Sequence, residues 1–166
     1  KEESLFSADG ALDLGQGRPS VEPFLFTEET LWTWANVNAE QSLADGDLPL
    51  PSVTWSGAPV ELTITAQPYT HRGATFTRAT YRLVNHGGRP RRGTLYLAFR
   101  PFQVNPPSQF LNAPGGACEL SEIHGRAGSV FLNHGAGWVT GLPWDGFGAA
   151  RFDQGDIVEY LARDGL

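Results

Sequence analysis

Cysteine and methionine are almost missing from this sequence. Its 166 residues include one cysteine, Cys118, and no methionine. A single cysteine excludes a disulfide within the chain and a zinc site built on cysteine ligands. We expect Cys118 to be buried and unreactive, because free cysteine is among the most buried residue types. The missing start methionine, together with a short helix expected at the very end, predicts that the chain is excised from a larger multidomain protein.

Long apolar runs and an excess of positive charge are absent too. No stretch approaches the roughly 20 apolar residues of a transmembrane helix, and the first residues do not resemble a signal peptide. The 18 acidic residues outnumber the 12 basic ones, for a formal net charge of −6, which argues against a nucleic-acid binder. The apolar fraction of 40% is typical of a soluble globular protein. The sequence predicts one domain over 1–166 that binds neither nucleic acid nor membrane, with its compartment left open.

Motifs for catalysis, cofactors and metals are missing as well. There is no Gly-x-Ser-x-Gly elbow, no Walker loop and no strand-linked Gly-x-Gly-x-x-Gly, so no cofactor is expected. The four histidines are widely dispersed, and none has the pair spacing of a zinc site. Asp45 and Asp47 flank Gly46 and could offer oxygens to calcium, but the EF-hand spacing is absent. We interpret that pair as a solvated turn.

Strand periodicity is the strongest positive signal. Residues 60–66, Val-Glu-Leu-Thr-Ile-Thr-Ala, alternate apolar and polar side chains, as in a strand with one buried face. Residues 74–84 are rich in Thr, Tyr and Phe, and this composition predicts a strand whose core residues are Phe76, Tyr81 and Leu83. Further strands are expected at 30–37, 52–55, 94–100, 129–133 and 137–141.

Turns and one helix complete the predicted fold. Residues 85–90 combine Gly and Pro in a turn, and short strands separated by such turns are typical of an all-β, antiparallel β-sandwich. A short C-terminal helix is expected at 156–163, with Asp153 as its N-cap and an apolar stripe at Ile157, Val158 and Leu161. The proline-rich connection 101–116 is long enough to be functional or structurally pinned.

Five tryptophans suggest a second kind of site. Tryptophan rings can stack on sugars while amide side chains bind the hydroxyl groups. Trp32 and Trp34 are two residues apart, so on one strand they would share a face, which is either core or a binding platform. The candidate carbohydrate-binding residues are Trp32, Trp34, Trp144, Gln103, Asn105 and Asn112.

Carboxylates allow a third hypothesis. Glycoside hydrolysis uses two carboxyl groups about 5–10 Å apart. Asp45, Asp47 and Asp145 are candidates for such a pair, although none lies in a recognisable catalytic motif.

Two stretches resemble known domains. Residues 81–97, Tyr-Arg-Leu-Val-Asn-His-Gly-Gly-Arg-Pro-Arg-Arg-Gly-Thr-Leu-Tyr-Leu, are similar to a strand, turn and strand of the supersandwich domains that precede an (α/α)₆ catalytic barrel in glycoside phosphorylases and glycosidases. Residues 100–107, Arg-Pro-Phe-Gln-Val-Asn-Pro-Pro, resemble bacterial proteins labelled coagulation factor 5/8 type, or discoidin-like. Discoidin domains normally carry a cysteine pair, and this chain departs from that pattern.

The resemblance implies an accessory role. In the supersandwich enzymes the catalytic carboxylates belong to the barrel, and the sandwich packs on it, supports dimerisation or lends a loop to the substrate cleft. We therefore expect a non-catalytic accessory domain of a larger carbohydrate-active protein, a glycoside hydrolase or phosphorylase. Its expected partners are the other domains of the parent chain, carbohydrate, and a second copy in a homodimer. A free-standing carbohydrate-binding module and a small glycan hydrolase with paired Asp remain the alternatives.

Overall fold

The fold consists of antiparallel strands with one short helix at the end. The computed structural model describes residues 4–15, 18–44, 46, 48–104, 116–126, 128–133, 138–139 and 143–163. Its strands are β1 Leu12–Asp13, β2 Ser20–Thr27, β3 Thr30–Trp32, β4 Asn38–Ala44, β5 Leu48–Gly57, β6 Val60–His71, β7 Ala74–Asn85, β8 Gly93–Arg100, β9 Ile123–Arg126, β10 Ser129–Leu132 and β11 Trp138–Val139. A 3₁₀ turn, Phe152–Gln154, precedes helix α1, Ile157–Leu161. The all-β prediction is confirmed.

The first sheet is a meander of four strands in the order β4-β5-β6-β7. The alternation in β6 shows which face of this sheet is turned toward the core. Val60, Leu62, Ile64 and Ala66 are buried, and the residues between them are not. Cross-strand partners share a face, and buried Trp55 of β5 lies opposite Leu62. The predicted strand 60–66 is confirmed and continues to His71.

The second sheet is centred on β2. β8 pairs with the whole length of β2 on one edge, from Ser20 opposite Arg100 to Thr27 opposite Gly93. On its other edge β2 pairs with β1 near its start and with β3 near its end. Pro23 lies in the gap between these two short partners. Its missing N–H therefore costs no hydrogen bond to β1 or β3.

Two hydrophobic clusters lie on opposite faces of the second sheet. One cluster is built on Val53, Trp55, Leu62 and Ile64 of the first sheet, and Trp32 and Leu95 of the second sheet pack against it. The other joins Phe24 and Leu31 to Leu161 of helix α1. The described residues therefore form three layers, with the first sheet, the second sheet and the helix in that order. Strands β9, β10 and β11 form a further, smaller sheet.

Several expected elements differ from the structure. The predicted strand 30–37 ends at Trp32, because the side chain of Asn36 accepts from the N–H of Thr33 and donates to the carbonyl of Leu31, which closes a turn. Strands β2 and β4 were not predicted. β2 is buried on both faces and therefore lacks the alternation that marks a half-buried strand.

The predicted core residues of β7 and the predicted helix cap are corrected as well. Tyr81 is shielded, but Phe76 and Leu83 are 52% and 50% exposed. Phe76 lies opposite Tyr69 on the outer face of the sheet, and Leu83 lies on the core face, at an edge of β7 with which no described strand pairs. Helix α1 is capped by Asp156, whose side chain accepts from the N–H of Val158, whereas Asp153 lies in the preceding 3₁₀ turn.

Candidate functional site

A long groove follows the outer edge of β8. It has a volume of about 2190 Å³, and every residue of β8 lines it. Residues 76–81 of β7 contribute from the first sheet, and residues 143–153 contribute with 120–123 from the other side. We call this feature the β8 groove. Small-molecule pockets occupy roughly 300–1,000 Å³, so the β8 groove has room for a polymer or a protein segment.

Aliphatic and aromatic side chains form most of the β8 groove. The floor carries Leu95, Leu97 and Phe99 on one face of β8 and Tyr96 and Ala98 on the other. All five are partly exposed, although Leu95 also packs against the core of the sandwich. The floor of the groove is therefore mostly apolar, whereas its sides carry polar and charged side chains, among them Arg78, Thr80, Asp145 and Arg151.

Aromatic rings stand at the rim of the β8 groove. Trp144 and Phe147 lie with ring centroids 6.2 Å apart, and Phe147 covers Gly125 of β9, where an added Cβ would come within 2.8 Å of the ring. Phe152 is 64% exposed and meets Phe102 edge to face at 5.5 Å. These rings form an exposed aromatic rim.

The tryptophans occupy different environments. Trp55 is 1% exposed and belongs to the core. Trp32 is half-buried and packs against that core, directly over Gly57. Trp34 is 57% exposed in the turn after β3, so the strand geometry expected to place it beside Trp32 does not extend that far. Trp144 is half-buried and lines the β8 groove.

The predicted polar residues are only partly described. The side chain of Gln103 donates to the carbonyl of Arg18 over 3.4 Å, and Asp145 is exposed on the lining of the β8 groove. Asn105, Asn112, Asp45 and Asp47 lie outside the described residues, as does the side chain of Trp138. The structure therefore brings Trp144 and Asp145 to one groove, whereas Trp32 and Trp34 lie elsewhere.

One ion-paired cluster lies close to the groove. The guanidinium group of Arg100 donates to Glu22 at 2.9 Å and to Asp156 at 3.0 Å, and it lies 4.8 Å from the ring centroid of Phe102. Burial raises the pKa of Glu22, and the opposing attraction of Arg100 does not cancel this effect. The cluster links β2, β8 and the start of helix α1, which gives it a structural role.

Nucleophile and metal chemistry find little support in the described residues. Partial burial and the charge of Asp13 raise the pKa of Cys118, which disfavours the reactive thiolate. Within the part of the chain that the structure describes, no three His, Cys, Asp or Glu side chains cluster as a metal site. No helix in that part is long and apolar enough to cross a membrane.

Sequence reasoning missed a group of side chains at the far end of the β6–β7 hairpin. Tyr69 and Phe76 face each other on the outer side of the first sheet, and the rings of Tyr69 and His71 stack with centroids 6.2 Å apart. Arg78 lies over the Tyr69 ring at 4.2 Å. Extending the alternation of 60–66 through His71 would have placed Tyr69 and His71 on one face.

Comparison with known proteins gives no family for this fold and groove. No protein-family model, curated protein or solved structure matches the chain.

Proposed function

We propose that this chain is a non-catalytic accessory domain of a larger carbohydrate-active protein and that the β8 groove is its contact surface for another domain of that protein. The single observation that carries the proposal is the apolar groove along the whole of β8. Its volume, about 2190 Å³, exceeds what a small ligand fills. The resemblance of 81–97 to supersandwich domains favours the same role, because this stretch includes the end of β7 and the start of β8.

The chemistry of the groove favours a protein surface over a glycan. Sugar hydroxyl groups need hydrogen-bond partners, and among the five floor side chains only that of Tyr96 carries a polar group. Another domain would instead bury the apolar atoms of the floor and gain roughly 25 cal/mol per Å² removed from water.

Hydrogen exchange tests this role in the full parent protein. If another domain covers the groove, the amides of β8 should exchange at least about tenfold more slowly in the parent than in the isolated chain. The amides of β4, at the far edge of the first sheet, should exchange equally in both and serve as the control. Equal exchange of β8 in the two proteins would rule out this docking surface.

A turnover assay tests the non-catalytic half of the proposal. The isolated chain should neither hydrolyse nor phosphorolyse a panel of aryl glycosides and oligosaccharides. Turnover that co-purifies with the chain and is abolished by Asp145→Asn would overturn the accessory role in favour of a glycan hydrolase.

A carbohydrate-binding module is the second candidate, and the exposed aromatic side chains favour it. Trp34 is 57% exposed, and Trp144 lies beside Phe147 at the groove rim. A glycan array followed by calorimetry would find a ligand if this function holds. Trp34→Ala or Trp144→Ala should then weaken binding, while Leu48→Ala, a change of an exposed apolar side chain away from the rim, should not. Binding unaffected by both tryptophan variants would exclude the aromatic platform.

A further inference from the structure

The outer edge of β7 is the longest unpaired strand edge among the described residues. β7 pairs with β6 through 12 consecutive residue pairs without a register shift. No described residue pairs with its other edge. In an antiparallel ladder, every second residue of an edge strand directs its N–H and C=O outward. β7 therefore offers a row of main-chain donors and acceptors to an added strand.

Two arginines give this edge a local positive charge. Arg78 and Arg82 are exposed on the outer face of β7, opposite the neutral side chains of Gln67 and Thr63 in β6. Among the described residues, no carboxylate lies within ion-pair distance of either guanidinium group. At the rise of a strand, the two Cα atoms are about 13 Å apart. The positive charges thus lie on one face with a spacing of four residues.

The other face of the same edge is apolar and incompletely covered. Ala79, Tyr81 and Leu83 alternate with the arginines and lie opposite the buried residues Ala66, Ile64 and Leu62. Leu83 is nevertheless 50% exposed. The hydroxyl of Tyr81 is shielded from solvent and has no hydrogen-bond partner in the described part of the chain. An added strand with an apolar side chain opposite Tyr81 would also reach Leu83 from the diagonal position.

We propose that β7 binds an extended acidic segment of a partner protein, which adds to the first sheet as a further strand. The first and fifth residues of a five-residue unit in this segment are acidic, and their carboxylates face Arg78 and Arg82. The second and fourth residues of the unit are apolar, and their side chains lie on the other face of the sheet. The recognised pattern is acidic–apolar–any–apolar–acidic. Residues 76–81 of β7 also line the β8 groove, so an added strand would border that groove. The inference rests on the main-chain edge and the two arginines of β7, and not on the apolar floor that β8 provides.

A second copy of the chain suits this edge less well. In antiparallel self-pairing centred on Thr80, Arg78 of one copy lies opposite Arg82 of the other. Like charges directly opposite each other destabilise a strand pair. Registers shifted by two residues still bring four guanidinium groups onto one face, and a one-residue shift would turn the core face of one sheet toward the outer face of the other. The charge of β7 therefore selects an acidic partner over itself.

A synthetic peptide tests the proposal on the full chain. The peptide Thr-Glu-Val-Thr-Val-Glu-Thr carries the required pattern, and a scrambled peptide with adjacent glutamates has the same charge. NMR titration should move the amide signals of β7 with the patterned peptide and give at least about tenfold weaker binding with the scrambled one. Raising the salt concentration should weaken binding, because the charge pairs are exposed.

Charge reversal tests whether the arginine pair itself, rather than the net charge of the protein, attracts the peptide. Arg78→Glu with Arg82→Glu should weaken binding of the glutamate peptide at least about tenfold and create binding of a peptide with lysines in their place. Arg89→Glu with Arg92→Glu changes the net charge equally at exposed loop positions and should leave binding unchanged. Circular dichroism of each variant checks that the fold is intact.

Alternate N-methylation of the peptide tests for main-chain pairing. One alternating set of methyl groups should abolish binding and the other set should not, because only one set faces β7. No β7 signal shift, no effect of charge reversal, or equal effects of the two methylation sets would each overturn the proposal. A concentration-dependent dimer in light scattering that Arg78→Glu with Arg82→Glu alters would assign the edge to a second copy instead.

Discussion

Trp55 is the largest fully buried side chain between the two sheets. It is 1% exposed, and its indole N–H donates to the carbonyl of Asp9 at 3.0 Å. That bond joins β5 to the segment before β1. Trp55 therefore combines packing with the satisfaction of a buried polar group.

Trp55→Ala should destabilise the fold strongly. Removing a buried tryptophan costs about 3–5 kcal/mol, because a cavity remains and the transfer free energy of the ring is lost. Trp34→Ala is the matched control, since that ring is 57% exposed and a surface change alters stability by about 0.5 kcal/mol or less. Urea unfolding followed by circular dichroism measures both. Equal losses would contradict the assignment of Trp55 to the core.

Glu22 gives the protein a predictable pH dependence. Burial raises its pKa in the folded protein above the unfolded value, so the folded state binds more protons over that interval. Its contribution to stability is therefore complete below the ordinary carboxyl pKa of about 4.3 and is lost as the pH rises through the raised folded pKa.

Glu22→Gln checks the sign of this effect. The variant side chain is neutral at every pH, so the stability of the native chain relative to the variant should fall as the pH rises through that window. Denaturant unfolding at a series of pH values measures the difference. A difference that grows with pH would mean that pairing with Arg100 outweighs burial.

At the scale of single elements, helix α1 depends on its first turn. Asp156 accepts from the N–H of Val158 and also receives a hydrogen bond from Arg100. An aspartate at the N-cap satisfies a main-chain donor that the short helix leaves unpaired. Asp153 was predicted for this role, but it lies in the preceding 3₁₀ turn, and Asp156 occupies the N-cap position.

Asp156→Ala should therefore cost about 0.5–2 kcal/mol, the range for loss of an N-cap. Asp153→Ala should cost less, because Asp153 pairs with Arg151 on the surface, where both side chains are exposed. Thermal unfolding of the two variants measures the ranking. A larger loss for Asp153→Ala would show that the cap is wrongly assigned.

The strands differ in how much of them can be predicted. Residues 60–66 alternate because one side of β6 faces the core, and this local pattern is visible in the sequence. β2 contains Pro23 and is buried on both faces, so neither its alternation nor its composition marks it as a central strand. Leu83 lies on the expected face of β7. Its exposure depends on whether another strand lies beside β7, and no local pattern in the sequence shows this.

At the scale of the whole molecule, the second sheet couples the two hydrophobic clusters. Ile64 belongs to the cluster between the sheets, and Leu161 belongs to the cluster under helix α1. The second sheet lies between these clusters and contributes side chains to both. We therefore expect the two clusters to unfold in one cooperative transition.

Ile64→Ala and Leu161→Ala test this coupling. Each should lower the unfolding free energy by about 2–5 kcal/mol. Tryptophan fluorescence and far-ultraviolet circular dichroism should still give coincident transitions in both variants. Early loss of one signal in Leu161→Ala would show that the helix layer unfolds independently.

The candidate site was less predictable than the fold. Trp144 and Asp145 could be named from their residue types, but the β8 groove results from β8 having one edge paired with β2 and another edge with which no described strand pairs. Arg78 and Arg82 appeared as ordinary strand residues, and their shared face acquires meaning only because β7 is the last strand of its sheet among the described residues.

The sequence by itself determined the all-β class, the main strand segments of β6, β7 and β8, and the short terminal helix, because alternation and turn residues act over a few neighbouring positions. Only the tertiary structure decided which apolar side chains are covered. That outcome depends on which strands lie side by side, so Phe76, Leu83 and the groove along β8 could not be assigned before the sheets were in place.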